Sequence, residues 1–429
     1  MIKNYRFIST LLLSLSLLFV GFSAFAQEQY VNGVLMLNEG ASGTDSATIS
    51  FLPNGGTFKN DIYGTANSDE SLGDTGQSLS FYGDKAYVIL NLSNRLRVVD
   101  SKTFQLEATL ESGLVNPRYM AFANGKGYIT CWGGTSYVAV LNLETNTIES
   151  TIPVASGVER ILEINGKLYA AHKGGFGYGT TISVIDPLTD TVETTIEVGD
   201  VPNTMVVDGD FLYVMCEGSP SWSGAETFGK LVKVNLASNT VVSTLDFPTL
   251  HPSNLKLANG FFYYSVFGDV YKMETTTTTL PTTPLFSLAS PQLYGIYGMD
   301  IIDETLFVTE VTGFTVPSTA NRYTLDGDFI NSFTAGMATN GYYKAVEVDL
   351  GTNDNKKLEV ALYPNPTANV FYLNTNENAA IKMYDLAGRL VLSQNYTANG
   401  INVSNLTSGV YMVQTQIGNA SSTQKLIVK

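Results

Sequence analysis

The feature that most constrains this chain is an internal repeat. An apolar strand, a tight turn holding Gly or Asp, and a second strand centred on an aromatic residue recur along it. A loop of variable length follows, then a strand of Val-x-Val-apolar-Asp character and a Thr/Val/Ile-rich strand. One copy reads Ser78-Leu-Ser-Phe-Tyr-Gly-Asp-Lys-Ala-Tyr-Val and closes with Leu96-Arg-Val-Val-Asp. Others begin at Tyr119, Ile161, Thr204, near Asn254 and near Gly298. The central aromatics Tyr87, Tyr128, Tyr169, Tyr213, Tyr263 and Phe307 are 41, 41, 44, 50 and 44 residues apart. Four short strands at that period predict the blades of a β-propeller. Helical solenoids share the period but need helix-forming stretches between turns, and the sequence has none.

The ends of the repeat region predict how the ring closes. Residues 33–63 supply a second strand (Val34-Leu-Met-Leu), a third (Ala47-Thr-Ile-Ser-Phe) and a fourth (57–63), but no first. Tyr342-Tyr-Lys-Ala-Val-Glu-Val-Asp reads as a first strand with nothing after it. Joining the two ends gives seven blades and removes the free sheet edges of an open array. Composition agrees: only 15% of residues are charged and the chain carries 39 Gly and 24 Tyr, a mix that favours strands and turns. The expected organisation is therefore all-β: a signal peptide over 1–26, a seven-bladed propeller over 27–351, a linker over 352–359, and a small Ig-like β-sandwich over 360–429.

The signal peptide is read from Lys3 and Arg6, the apolar residues 11–20, and the small-x-small site Ala24-Phe25-Ala26. The apolar stretch is short for a membrane span. No Cys follows the cleavage site, which argues against a lipid anchor, and no later stretch reads as transmembrane. A net charge of -15 argues against nucleic acid as a partner. Cys131 and Cys216 fall on equivalent strands of blades two apart, too far for a disulfide, so buried thiols are expected.

Two resemblances add to this. The Val-x-Val-Ile-Asp strands, above all Val184-Ile-Asp-Pro-Leu-Thr, resemble the YVTN-type propeller repeats of bacterial surface proteins. The last 70 or so residues contain Leu362-Tyr-Pro-Asn-Pro-Thr, Ile381-Lys-Met-Tyr-Asp-Leu-Ala-Gly-Arg-Leu-Val, Leu406-Thr-Ser-Gly-Val-Tyr-Met-Val and the terminal Lys425-Leu-Ile-Val-Lys. These blocks resemble the type A C-terminal sorting domain of the type IX (Por) secretion system of Bacteroidetes. The resemblance implies recognition by that machinery, removal of the domain, and attachment to the outer surface or release. In architecture the chain also resembles surface propellers of related bacteria that capture cobalamin for an outer-membrane transporter, which implies such a transporter as a partner.

The loops between second and third strands share one face, the top, with the connections between blades. They carry both tryptophans, Trp132 and Trp222, with Gly-rich segments such as His172-Lys-Gly-Gly-Phe-Gly-Tyr-Gly. Flat apolar side chains beside free amides suit an organic ligand. Gln77, Arg118, Arg160, Asn203, Asn254, Tyr297 and Tyr343 start the innermost strands and are expected around the channel. The two arginines either receive a ligand's carboxylate or phosphate or pair with acids such as Glu159 and Glu217. With Trp132, His172 and Trp222 these residues form the candidate ligand-binding set. No catalytic residue, metal ligand or cofactor is assigned. His172 and His251 lie in different blades without metal spacing, and His172 is the single candidate for acid/base work. The leading expectation is a surface protein that binds a small molecule, glycan or protein. A lyase or glycosidase using paired carboxylates, and an adhesin or scaffold without a small ligand, stand as alternatives.

Overall fold

The computed structural model describes residues 28–175, 177–289, 294–348, 360–375, 378–397, 399–417 and 420–429. The expected signal peptide and linker lie outside them. The chain divides into two units, one ending at Val348 and one formed by the remainder.

In the first unit strands pair with their sequence neighbours, save in one composite blade. Blade 1 is Gly76–Tyr82, Lys85–Leu90, Arg95–Asp100 and Leu106–Leu110. Blades 2 to 6 repeat this antiparallel four-strand order, their first strands being Pro117–Ala123, Val158–Ile164, Pro202–Asp208, Pro252–Ala258 and Ile296–Ile302. Asn-Gly pairs build the first hairpins of blades 2, 3 and 5: Asn124-Gly125, Asn165-Gly166 and Asn259-Gly260 all sit at positive φ, as a two-residue turn of matching twist requires.

Blade 7 is composite. Gly33–Asn38 lies between Thr48–Pro53 and the late strand Thr339–Lys344, which takes the innermost place. The seven first strands touch in cyclic order, so the ring is closed. Its fourth strand departs from expectation. Residues 57–63 contribute only a bridge, Phe51 to Lys59, before the chain enters a one-turn helix, Ile62–Ala66. Asp61 caps that turn by accepting from the Gly64 N–H at 3.0 Å, and Ile62 and Tyr63 are buried beneath it.

The core is divided by blade interface. Leu168 and Ala170 pack towards blade 2, whereas Tyr169 and Ala171 of the same strand pack towards blade 4. That is the two-residue alternation of a strand with both faces covered. The repeated aromatics belong to these interfaces. Tyr128 Oη donates to Pro187 O (3.1 Å) and Asp190 Oδ1 (2.7 Å), Tyr169 Oη to Asn239 Oδ1 (2.9 Å), and Tyr263 Oη to Leu325 O (3.2 Å). Each acceptor lies in the outer turn of the following blade. The period of the sequence is thus the period of a latch from one blade to the next.

The second unit has two antiparallel sheets, Leu362–Tyr363/Val370–Leu373/Ile401–Asn402 and Leu390–Asn395/Ala380–Tyr384/Gly409–Ile417/Ala420–Val428. Phe371, Ile381, Met383, Val413 and Leu426 form its core. Asp385 shapes the turn between Ala380–Tyr384 and Leu390–Asn395 by accepting from the N–H groups of Ala387 (2.9 Å) and Arg389 (3.0 Å).

Candidate functional site: the channel mouth and an adjoining pocket

The first strands of blades 1 to 6 share an irregularity at their top ends. Pairing with the second strand shifts register between Gly76 and Ser78, Pro117 and Met120, Val158 and Ile161, Pro202 and Thr204, Ser253 and Lys256, and Ile296 and Met299. Such bulges free residues from the ladder and re-aim their side chains. Gln77, Arg118, Tyr119, Glu159, Arg160, Asn203, Asn254 and Tyr297 all fall within them.

The freed side chains bond mainly to one another. Arg118 grips Glu159 through Nε (3.0 Å) and Nη2 (2.8 Å), while its guanidinium lies 4.1 Å above the Trp132 ring. Burial works against the Arg118 charge, and Glu159 outweighs it, so the guanidinium is held above its usual range. Gln77 Nε2 donates to Tyr119 Oη at 3.3 Å. Tyr297 Oη donates to Glu39 Oε2 (2.7 Å), and Asn340 Nδ2 donates to Glu39 Oε1 (2.9 Å). Burial, only partly opposed by those two bonds, pushes the Glu39 carboxyl up. Burial and then Glu39 push the Tyr297 phenol up, and Tyr343 rises through burial. Lys173 lies 3.4 Å from Glu217, which also accepts from Asn203, and Lys256 bonds Asp300 at 2.6 Å. Asn254 stays within its own surroundings, donating to Ser265 Oγ (3.0 Å) and Ile296 O (3.1 Å).

Arg118 is thus ion-paired with Glu159. Arg160 differs. Its guanidinium stacks 4.5 Å from the Tyr119 ring, and its buried Nε has no hydrogen-bond partner among the described residues.

Lys173 and Glu217 also line a pocket of about 510 Å³ above blades 3 and 4. Trp222, on the short turn Ser221–Ser223, is 84% exposed there, and Tyr178 is 46% exposed. Glu226, His251, Pro220 and the glycines at 175, 177 and 218 complete much of the wall. His251 Nδ1 is 2.9 Å from the Glu217 carbonyl oxygen, and its Nε2 is 3.4 Å from Glu226 Oε1. Two glycines are sterically required. A Cβ on Gly157 (φ +66°) would lie 1.9 Å from the Gly174 carbonyl carbon, and one on Gly218 (φ +79°) 2.3 Å from the Thr227 carbonyl oxygen.

His172 is not on a loop, as its position in the sequence suggested. It ends the second strand of blade 3, fully buried, at the repeat position that holds Cys131 in blade 2 and Cys216 in blade 4. Its Nδ1 is 3.0 Å from Ala155 O and its Nε2 2.9 Å from Ser183 Oγ. Burial pushes its pKa down to about 4. Unfolded imidazole charges below about pH 6.5, whereas this one stays neutral to about pH 4. The stability it contributes is complete above pH 6.5 and falls as the pH drops towards 4, by about 3 kcal/mol in full. Urea midpoints at pH 7 and pH 5 test this: the difference is expected to shrink in His172→Asn, and an unchanged difference would contradict it. Both cysteines are free and buried, and burial pushes the Cys131 thiol up to about 12.

Among the described residues, no three His, Cys, Asp or Glu side chains are grouped to hold a metal, and no helix is long and apolar enough to cross a membrane. Solved structures of similar fold include a Quinonprotein alcohol dehydrogenase-like protein from Bacteroides thetaiotaomicron, with 15% identity, TM-score 0.55, and 74% of this chain and 79% of that one covered. A functionally unknown protein from Desulfotomaculum acetoxidans shares 14% identity at TM-score 0.51, over 74% of this chain and 100% of that one. Hydrazine synthase of Kuenenia stuttgartiensis shares 14% at TM-score 0.51, over 60% and 86%. At such identities the likeness concerns the fold alone. No curated protein matches. Residues 361–429 match the secretion system C-terminal sorting domain of the Por type, so the protein is secreted to the cell surface or beyond through the machinery that reads that domain. Residues 32–348 match a domain of unknown function, DUF5074, and with most of its length inside that match the chain belongs to the DUF5074 family.

Proposed function

We propose that the propeller is a surface binding protein that captures an external organic ligand in the pocket above blades 3 and 4. The observation that carries this reading is the pair Trp222 and Tyr178, left largely in solvent on one pocket with Lys173, Glu217 and His251. Exposed aromatic surface beside a few polar groups is the usual make-up of a ligand site, and an aromatic contact contributes about 1 kcal/mol beyond the area it buries. Secretion suits the role, because such a protein meets molecules outside the cell. Cobalamin, delivered onward to an outer-membrane transporter, is the most specific ligand this reading names. The tail acts as a type A sorting domain that is removed when the propeller is anchored or released.

Calorimetry with cobalamin and with a panel of soluble glycans tests the reading. Binding is expected to weaken at least tenfold in Trp222→Ala, whose exposed side chain leaves the fold untouched, and several-fold in Tyr178→Ala. Equal affinity in wild type and Trp222→Ala would overturn it. Turnover of a glycan would favour an enzyme instead, and binding to cells or proteins alone would favour an adhesin.

A further inference from the structure

Among the described residues, the channel mouth holds one cation, Arg160, without an acidic partner. Arg118 has Glu159, Lys173 has Glu217, and Lys256 has Asp300. Arg160 has no ion pair or hydrogen bond among the described residues, and its Nε is closed off from solvent. Its guanidinium lies 4.5 Å from the Tyr119 ring of the neighbouring blade 2, at the mouth of the channel. The two acids near it are already engaged, Glu159 by Arg118 and Asp300 by Lys256. The remaining acid of the cluster, Glu39, is tied to Tyr297 and Asn340, and burial favours its neutral form. A guanidinium has five N–H donors in a planar fork, and on the half-buried Arg160 the enclosed Nε leaves its donor unmet, which is unfavourable.

We infer that the top of the channel binds a small oxyanion, a carboxylate or a phosphate, on the Arg160 guanidinium, with the Tyr119 ring holding the fork in place. The fork offers two parallel N–H donors to two oxygens of one anion, the geometry in which arginine recognises such groups. This site is independent of the Trp222 pocket and does not need that pocket to be a ligand site.

The test titrates the full secreted protein with sodium acetate and with inorganic phosphate at constant ionic strength in chloride, by calorimetry and by thermal unfolding. At least one of the two is expected to bind saturably with a stoichiometry of one and to raise the unfolding temperature. Acetate alone would define a carboxylate site, and phosphate alone a phosphate site. Arg160→Met is expected to weaken binding at least tenfold. Arg160→Lys, which keeps the charge but loses the fork, is expected to weaken it several-fold. Trp222→Ala is expected to leave it unchanged, which separates this site from the pocket. Because Arg160→Met removes a half-buried side chain, wild-type crystals soaked in selenate provide a second readout, an anomalous selenium peak against Arg160. Binding of neither anion, unaltered affinity in a folded Arg160→Met, or no selenium peak at Arg160 in a protein that binds phosphate would overturn the inference.

Discussion

Glu159→Ala is expected to destabilise the propeller by about 3–5 kcal/mol, the usual cost of stripping a buried ion pair of one partner. Glu159 is 4% exposed, and the Arg118 side chain it grips is 15% exposed. With the carboxylate gone, Arg118 would remain pressed on the Trp132 ring with two donors unsatisfied and little access to water. Glu159→Gln keeps the shape and one acceptor and is expected to cost less. The double change Arg118→Met/Glu159→Leu removes both charges and is expected to recover much of the loss, because two matched apolar side chains can replace a buried pair at little cost. Urea denaturation of the four proteins reads this as shifts in midpoint. A loss below about 1 kcal/mol in Glu159→Ala would mean that water reaches the pair freely.

A larger effect is expected from removing residues 28–53. That deletion takes away Gly33–Asn38, which pairs with Thr339–Lys344 on one side and Thr48–Pro53 on the other. It also takes Asn38, which is buried and donates to Thr48 Oγ1 and Ser50 Oγ (both 3.0 Å) while accepting from Thr339 Oγ1 at 2.5 Å. Leu35, Leu37, Ile49 and Phe51 leave the interface with blade 1, and Val34, Met36 and Leu52 leave the one with blade 6. Two blades would then present bare apolar faces and an unpaired strand. The shortened chain is expected to aggregate rather than to behave as a six-bladed ring. A sharp monomeric peak in gel filtration with cooperative unfolding would contradict this.

The fold was legible because the repeat has a mechanical cause. Tyr128, Tyr169 and Tyr263 recur since each must reach an outer turn of the next blade, and the Asn-Gly turns recur because the hairpins need positive φ. The fourth strand of blade 7 was misread because residues 57–63 stand where the repeat places a fourth strand, while the capping by Asp61 that starts a helix is a local preference easily overridden elsewhere. At the site, the ring of first-strand residues followed from aligning the repeats, and the same alignment carried a signal about His172. It falls in register with Cys131 and Cys216, a position that both neighbouring blades fill with buried side chains. Glu39, Tyr119, Lys173, Lys256 and Asp300 did not emerge from the sequence. Their meeting depends on bulges and on the curvature of the ring, which bring residues far apart in the chain within hydrogen-bond reach. That Arg118 is neutralised and Arg160 is not is likewise a fact of three-dimensional placement.

The seam in blade 7 also imposes an order in time. Asn38 and Thr339, which bond across it, are 301 residues apart. Synthesis runs from the N-terminal end, so the first strand made has no partner for its inner edge until nearly the whole propeller has followed it. Contacts of such long separation form slowly and leave unpaired edges exposed meanwhile. The sorting domain, residues 361–429, is made later still. A chain interrupted before its closing strand therefore never acquires the segment that the secretion machinery reads. Because the address follows the closing strand along the chain, every polypeptide that carries the address also carries the strand that shuts the ring.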